Sequence, residues 1–495
     1  MNVAELKMRI SMSLIRFLRS TLFIGVITVF LLVNTTASGL PLFSFNSAQK
    51  ANIEYVISVP DPSNHAVHIR MVVTDIPADC NSVFRIRTPP HPIKFTITDL
   101  EGRPIPFEVE SFVSRLGIPY TEVRIQPSNN LVIEYSICDL SPSARIFTGC
   151  GWGYIGEDFG ITLEAQLLLS PGWGWMEYGT CYEVEQSTFT FKLPEGWIAV
   201  MAHEKLDDNI YKMDGTPAEL PGVGPDRRSG CFIAFGPFNA YVKTFNGHSL
   251  VMAIHQDIEY PETLVEASLK LIQHYGRVFG SKPLLKRLLV IVLPAQAEEA
   301  GMLVGMYAEA SVYEVVKTNQ AEYFDYFQLV NFALHFPTFW LRDFGAWGDA
   351  GWFVNGLRFY LYMPAMVEVF GISEREYKQH LYNVWLTYQE RTKNKPPTSL
   401  IEDTCLNAEL KVQLFGYMLD REIREKTNGE KSFNDVIAYI YETYALKGKP
   451  FNTESFVKAV NMVTGVDFTD FMENCLLYTS PSPRDLSTSR MPSSA

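Results

Sequence analysis

Residues 331–335 read Asn331-Phe332-Ala333-Leu334-His335, and residues 352–357 read Trp352-Phe353-Val354-Asn355-Gly356-Leu357. The first stretch lies in an apolar segment with helical spacing. Asn331 and His335, four residues apart, therefore share one helix face. Phe332, next to Asn331, offers neither a lone pair nor a proton acceptor. The amide oxygen of Asn331 is neutral and weakly basic. Pro337 removes a backbone donor just past His335 and predicts a kink there. By itself, one imidazole on an apolar helix reads as a satisfied core residue.

Working outward, helical periodicity marks 323–340, 355–370, 374–391, 408–427 and 432–444. Ahead of them, Val265, Leu269, Ile272 and Phe279 repeat at helical spacing, and Gly280 closes that segment as a C-terminal cap does. A continuous apolar strand over 288–293 ends at Pro294. Before position 250 the period changes to two. Ile53, Tyr55, Ile57 and Val59 alternate with other residues, as do Val67, Ile69, Met71 and Val73. The same alternation runs through Ile93, Phe95 and Ile97, and through Leu131, Ile133, Tyr135 and Ile137. Turn-forming residues separate these runs, including Asp61-Pro62-Ser63-Asn64 and Pro127-Ser128-Asn129-Asn130. The expectation is an α+β chain: a β-sandwich or saddle-like domain over 45–250, then an α-rich domain with a small sheet over 251–474.

The 495 residues are 47% hydrophobic and 20% charged, enough apolar material for two or three domains. A net charge of −13 argues against nucleic acid, which demands a clustered basic face. Lys7, Arg9, Arg16 and Arg19 precede an apolar run over 22–33, and Thr35, Thr36, Ala37 and Ser38 follow. That layout predicts a signal peptide or membrane anchor over 1–38 and an extracytoplasmic location, with membrane contact only through this segment. Seven cysteines contain no Cys-x-x-Cys pair, which excludes a zinc ribbon. Disulfides and buried free thiols both remain open for them. Residues 475–495 abandon periodicity and read as a non-native tail.

Other chemistry-bearing patterns are weak. No Gly-x-Ser-x-Gly or phosphate-cradling loop occurs. His65 and His68 are three apart on one predicted strand and face opposite ways. His203-Glu204 reads as a solvated pair. Trp152, Trp173 and Trp175 read as loop staples rather than a ligand platform.

Taken together, the two opening stretches resemble the HExxH … W-x-x-E-G motif pair of the gluzincin metallopeptidases. The nearest likeness is to the glycyl aminopeptidase family, and more distantly to the leukotriene-hydrolase-like and alanyl aminopeptidases. The resemblance continues through 414–429, 432–436 and 456–471, and through Leu193-Pro194-Glu195-Gly196-Trp197 in the β-half. It implies a thermolysin-like α-rich domain. It also implies that Asn331, His335 and Asn355 occupy the three zinc-ligand positions and Phe332 that of the general base. Gln413 and Phe415 fall in the segment where the family carries Tyr-x-Lys-Gly, so its oxyanion-stabilising Tyr is absent. Only His335 keeps its role's chemistry. Glu309, in a Gly-rich edge-strand match, is given no role.

No catalytic residue, cofactor-binding residue or metal is therefore expected, zinc included. The leading expectation is an exported, non-catalytic aminopeptidase-like protein that meets peptides or extracellular proteins. One alternative is an active zinc aminopeptidase with an unusual metal site, which needs a carboxylate and a second imidazole close to His335. The other is a structural cell-surface module.

Overall fold

In the computed structural model the described residues are 50–472, apart from 78–79, 88–92, 114–118, 139, 141–152, 172–181, 215–230, 300–304, 309–310, 322–325, 342–343, 345–350, 394–399 and 401–405. The strands begin with β1 (Lys50–Ser58), β2 (Val67–Thr74), β3 (Ser82–Arg87), β4 (Thr96–Thr98), β5 (Phe107–Val113), β6 (Pro119–Ile125) and β7 (Leu131–Ile137). Next come β8 (Tyr154–Ile155), β9 (Gly160–Leu163), β10 (Ser170–Pro171), β11 (Glu183–Lys192), β12 (Ile198–Val200), β13 (Glu204–Asp207), β14 (Ile210–Asp214) and β15 (Phe232–Gly236). The last are β16 (Phe238–Phe245), β17 (His248–His255), β18 (Arg287–Leu293), β19 (Gly305–Ala308) and β20 (Ser311–Val315). The helices are α1 (Glu164–Leu167), α2 (Pro261–Val278), α3 (Gln296–Glu299), α4 (Tyr326–His335), α5 (Thr338–Leu341) and α6 (Gly351–Phe370). They continue with α7 (Glu374–Thr392), α8 (Leu406–Lys426), α9 (Phe433–Ile440), α10 (Thr453–Thr464) and α11 (Thr469–Met472).

A seven-stranded sheet, β13-β14-β11-β1-β2-β7-β4, shares a core with the four-stranded sheet β10-β3-β6-β5. In β1 the alternation predicted from sequence is what builds that core: Ala51, Ile53, Tyr55 and Ile57 point inward while Lys50, Asn52 and Glu54 face solvent. The expected strand through Ile93 and Phe95 is shorter than its pattern. Pairing begins only at Thr96, and Ile93 and Phe95 pack on the core as partly buried side chains.

A third sheet, β12-β15-β9-β8, lies against one face of the fourth, β16-β17-β18-β20-β19. The other face of the fourth sheet carries the helices. This explains the unbroken apolar run of β18. Leu288, Val290 and Val292 turn to the helices, and Leu289, Ile291 and Leu293 turn to the third sheet, so both faces are buried. The expected domain boundary at position 250 falls inside β17. That strand pairs antiparallel with β16 and parallel with β18, so sheet hydrogen bonding crosses the boundary.

The expected helix over 323–340 is two helices, α4 and α5, separated at Phe336-Pro337, because Pro337 has no N–H to continue the ladder. Helices α6 and α8 approach closely at two glycines. A Cβ on Gly356 would lie 2.6 Å from Val412 Cγ2, and one on Gly416 would lie 2.5 Å from the Tyr360 ring. The Gly of the Asn355-Gly356 pair thus has a packing reason of its own. Cys80 is disulfide-bonded, while Cys138 and Cys231 are not.

Candidate functional site

The end of α4 leaves carbonyls without intrahelical partners, since Pro337 cannot donate to Ala333. The buried hydroxyl of Tyr275, on α2, donates to the Ala333 carbonyl instead. Thr338 Oγ1 donates to the carbonyl of His335. These two bonds anchor the helix end where the imidazole sits. Tyr275→Phe keeps the ring packing and strands a buried carbonyl. It is expected to destabilise the protein by about 1–3 kcal/mol in urea denaturation, and no measurable change would mean that the carbonyl finds another donor.

Strand parity brings His335 its partner. On β20, Val312 and the following Val316 join the helix-side core, and Tyr313 and Val315 join the opposite one. Glu314 therefore points toward the helices from within an apolar strand, 1% exposed. Its Oε1 accepts a 2.6 Å hydrogen bond from Nδ1 of the buried His335. Oε2 has no hydrogen-bond partner among the described residues. Burial pushes the Glu314 carboxyl above its ordinary range, opposed by His335 and by the guanidinium of Arg358 on α6. Arg358 also opposes a burial-driven rise at Glu409 on α8. So Arg358 of α6 acts electrostatically on carboxylates of both β20 and α8. Sequence reading missed Glu314; its signal was a lone carboxylate within Val312-Tyr313-Glu314-Val315-Val316.

The other motif positions diverge. Phe332 is 1% exposed and packs on Phe336, their ring centroids 5.8 Å apart. Asn331 is partly exposed on α4. Asn355 lies in α6, and its side chain falls outside the described residues. Trp352 is core: its ring meets Phe353, Phe415 and Phe456 edge-on, and its N–H donates to Thr453 Oγ1. Phe415 is buried in the same cluster. Gln413 accepts from His380 Nε2 at 2.8 Å, and the Tyr362 hydroxyl lies 2.7 Å from that nitrogen. Burial holds the His380 imidazole below its ordinary range, a shift opposed by its bond to Gln413. Glu309, Asp325, Asp343 and Asp349 lie outside the described residues, as do Trp152, Trp173 and Trp175.

Zinc does not fit this donor set. A tetrahedral site with an open position needs three ligands, each presenting a lone pair of suitable basicity. Phe332 supplies no base and Asn331 supplies an amide, so α4 offers a single imidazole. Glu314 is the carboxylate that a relocated site would need. Among the described residues, no three His, Cys, Asp or Glu side chains converge as a metal-holding group.

Two histidine readings change with the structure. His203 is buried rather than solvated. Its Nε2 lies 2.7 Å from Oε1 of the fully buried Glu164, and its ring stacks on Phe189. Glu204 alone is exposed, on β13. His65 precedes β2 in a left-handed turn and bonds the Ile155 carbonyl, while His68 on β2 bonds Ser136 Oγ.

Solved structures share this architecture. An aminopeptidase N family protein from Idiomarina loihiensis superposes with a TM-score of 0.65 at 14% identity, over 88% of this chain and 77% of that one. The M1 zinc metallopeptidase of Deinococcus radiodurans gives 0.52 at 12% identity, over 88% and 94%. A glutamate-to-alanine mutant of that enzyme, bound to a Tyr-Ser-Ala substrate, gives 0.51 at 13%, over 88% and 95%. No protein-family profile matches the chain, and no curated protein matches it in sequence. The fold is that of the M1 zinc aminopeptidases, within the gluzincin class. At these identities the likeness concerns architecture, and activity must be argued from the site.

Proposed function

We propose that this chain is an exported, non-catalytic protein on the aminopeptidase fold, which binds peptides or protein partners without cutting them. The observation that carries the reading is the core-packed Phe332, 1% exposed, where the fold's enzymes place a general base. An aromatic ring for the base and amides at two ligand positions remove the means to hold and deprotonate a water. The disulfide at Cys80 supports an oxidising compartment. One observation favours the alternative of an unusual zinc site: a carboxylate on the far nitrogen of an imidazole is also how metal-bound histidines are oriented.

Metal analysis decides between them. Protein purified without chelator and then offered zinc is expected to retain far less than one equivalent and to release no amino acid from aminoacyl-nitroanilides. Stoichiometric zinc that disappears in His335→Ala would overturn the reading.

A further inference from the structure

Among the described residues, strand β5 is the outermost strand of its sheet and pairs on one side only, with β6, from Phe107↔Ile125 to Val113↔Pro119. Most other edge strands are short: β4 has three residues, β10 and β8 two each, β12 three, and β13 and β19 four. Short edges protect a sheet from unwanted pairing. The seven residues of β5 contain no proline and pair with β6 without a register shift.

Its two faces differ. On the face that continues the sandwich core, Phe107, Val109 and Val113 are 37%, 48% and 66% exposed, although their neighbours Ile125 and Val123 on β6 are buried. Apolar surface therefore runs outward from the core and stops uncovered. The opposite face carries Glu108, Glu110 and Phe112, beside Arg124, Glu122 and Tyr120 of β6 and Arg85 of β3; the Phe112 ring stacks on Tyr120 under the Arg85 guanidinium. Arg124 contacts Glu110 at 3.1 Å and Glu122 at 2.7 Å, and Arg85 contacts Glu122 at 2.6 Å. Glu122 is buried against both guanidiniums, so Glu108 and Glu110 are the carboxylates that this face presents at its exposed rim.

We infer that β5 is a docking edge for an extended partner segment, which adds a strand and alternates apolar with basic side chains. Backbone hydrogen bonds supply affinity in this mode, and the alternation supplies specificity. The apolar side chains would cover Phe107, Val109 and Val113, while Lys or Arg would lie beside Glu108 and Glu110. A second copy of this chain is the wrong occupant. Antiparallel self-pairing would set the glutamate rows against each other on one face, and like charges directly across strands are destabilising.

The test uses the full chain and fluorescein-labelled octapeptides: alternating Val/Lys, alternating Val/Glu, and a Val/Lys peptide interrupted by a central Pro. Anisotropy is expected to show binding of the first alone, with slowed amide exchange over 107–113. The double variant Glu108→Lys/Glu110→Lys is expected to weaken Val/Lys binding about tenfold or more and to favour the Val/Glu peptide. Equal binding of the Pro-interrupted peptide, or affinity indifferent to charge reversal, would overturn the proposal. Its failure leaves the non-catalytic reading intact, and zinc at His335 would leave this edge untouched.

Discussion

Glu314→Ala is expected to destabilise the protein by about 3–5 kcal/mol, as removal of one partner from a buried ion pair does. Glu314 and His335 are both buried and meet at 2.6 Å. Removing the carboxylate leaves the imidazole and Arg358 without the negative charge between them. His335→Ala should cost a comparable amount, because it strands a carboxylate inside the helix-side core. The combined Glu314→Leu/His335→Leu variant should cost well below the sum of the two, since neither group is then left alone. Urea denaturation followed by circular dichroism reads all three, with the slope checked for two-state behaviour. Single changes under about 1 kcal/mol that simply add would show that the two groups do not cross-link β20 to α4.

The second large effect is expected at Phe332. Phe332→Ala should cost about 3–5 kcal/mol through the cavity it leaves. Phe332→Glu, which restores the residue type of the general base, should cost more. A carboxylate there must ionise among Phe336 and the other apolar side chains of the helix-side core, or stay neutral without partners. Added zinc is not expected to recover the loss, because Asn331 and Asn355 remain amides. Wild-type stability of Phe332→Glu would mean that this side chain reaches water and that position 332 opens to a cleft.

Much of this was legible in the amino-acid order. Period-two patterns marked β1, β2 and β7, and helical periods marked α2 and α6 to α9, because burial on one face imposes those repeats. Pro337 announced the break between α4 and α5. That Asn331, Phe332 and Asn355 carry amides and an aromatic ring was readable position by position, since the chemistry of a side chain resides in residue type alone. His203 was misread because Glu204 and Lys205 follow it, while the carboxylate that meets it, Glu164, is 39 positions away. That sheet pairing runs across position 250 was not legible, because β17 looks like the strands before it and pairs with the strand after the next helix.

What this sequence determined by itself is the alternation of β and α segments and the residue types at 331, 332 and 355. Only the tertiary structure supplied the partner that satisfies His335. Its partner lies 21 residues away on another element, and the hydroxyl that completes the helix beneath it comes from 58 residues away. Such pairings depend on which face of β20 turns to the helices, and on how α2 and α4 pack against each other. Both are settled by non-local burial, which no local pattern encodes.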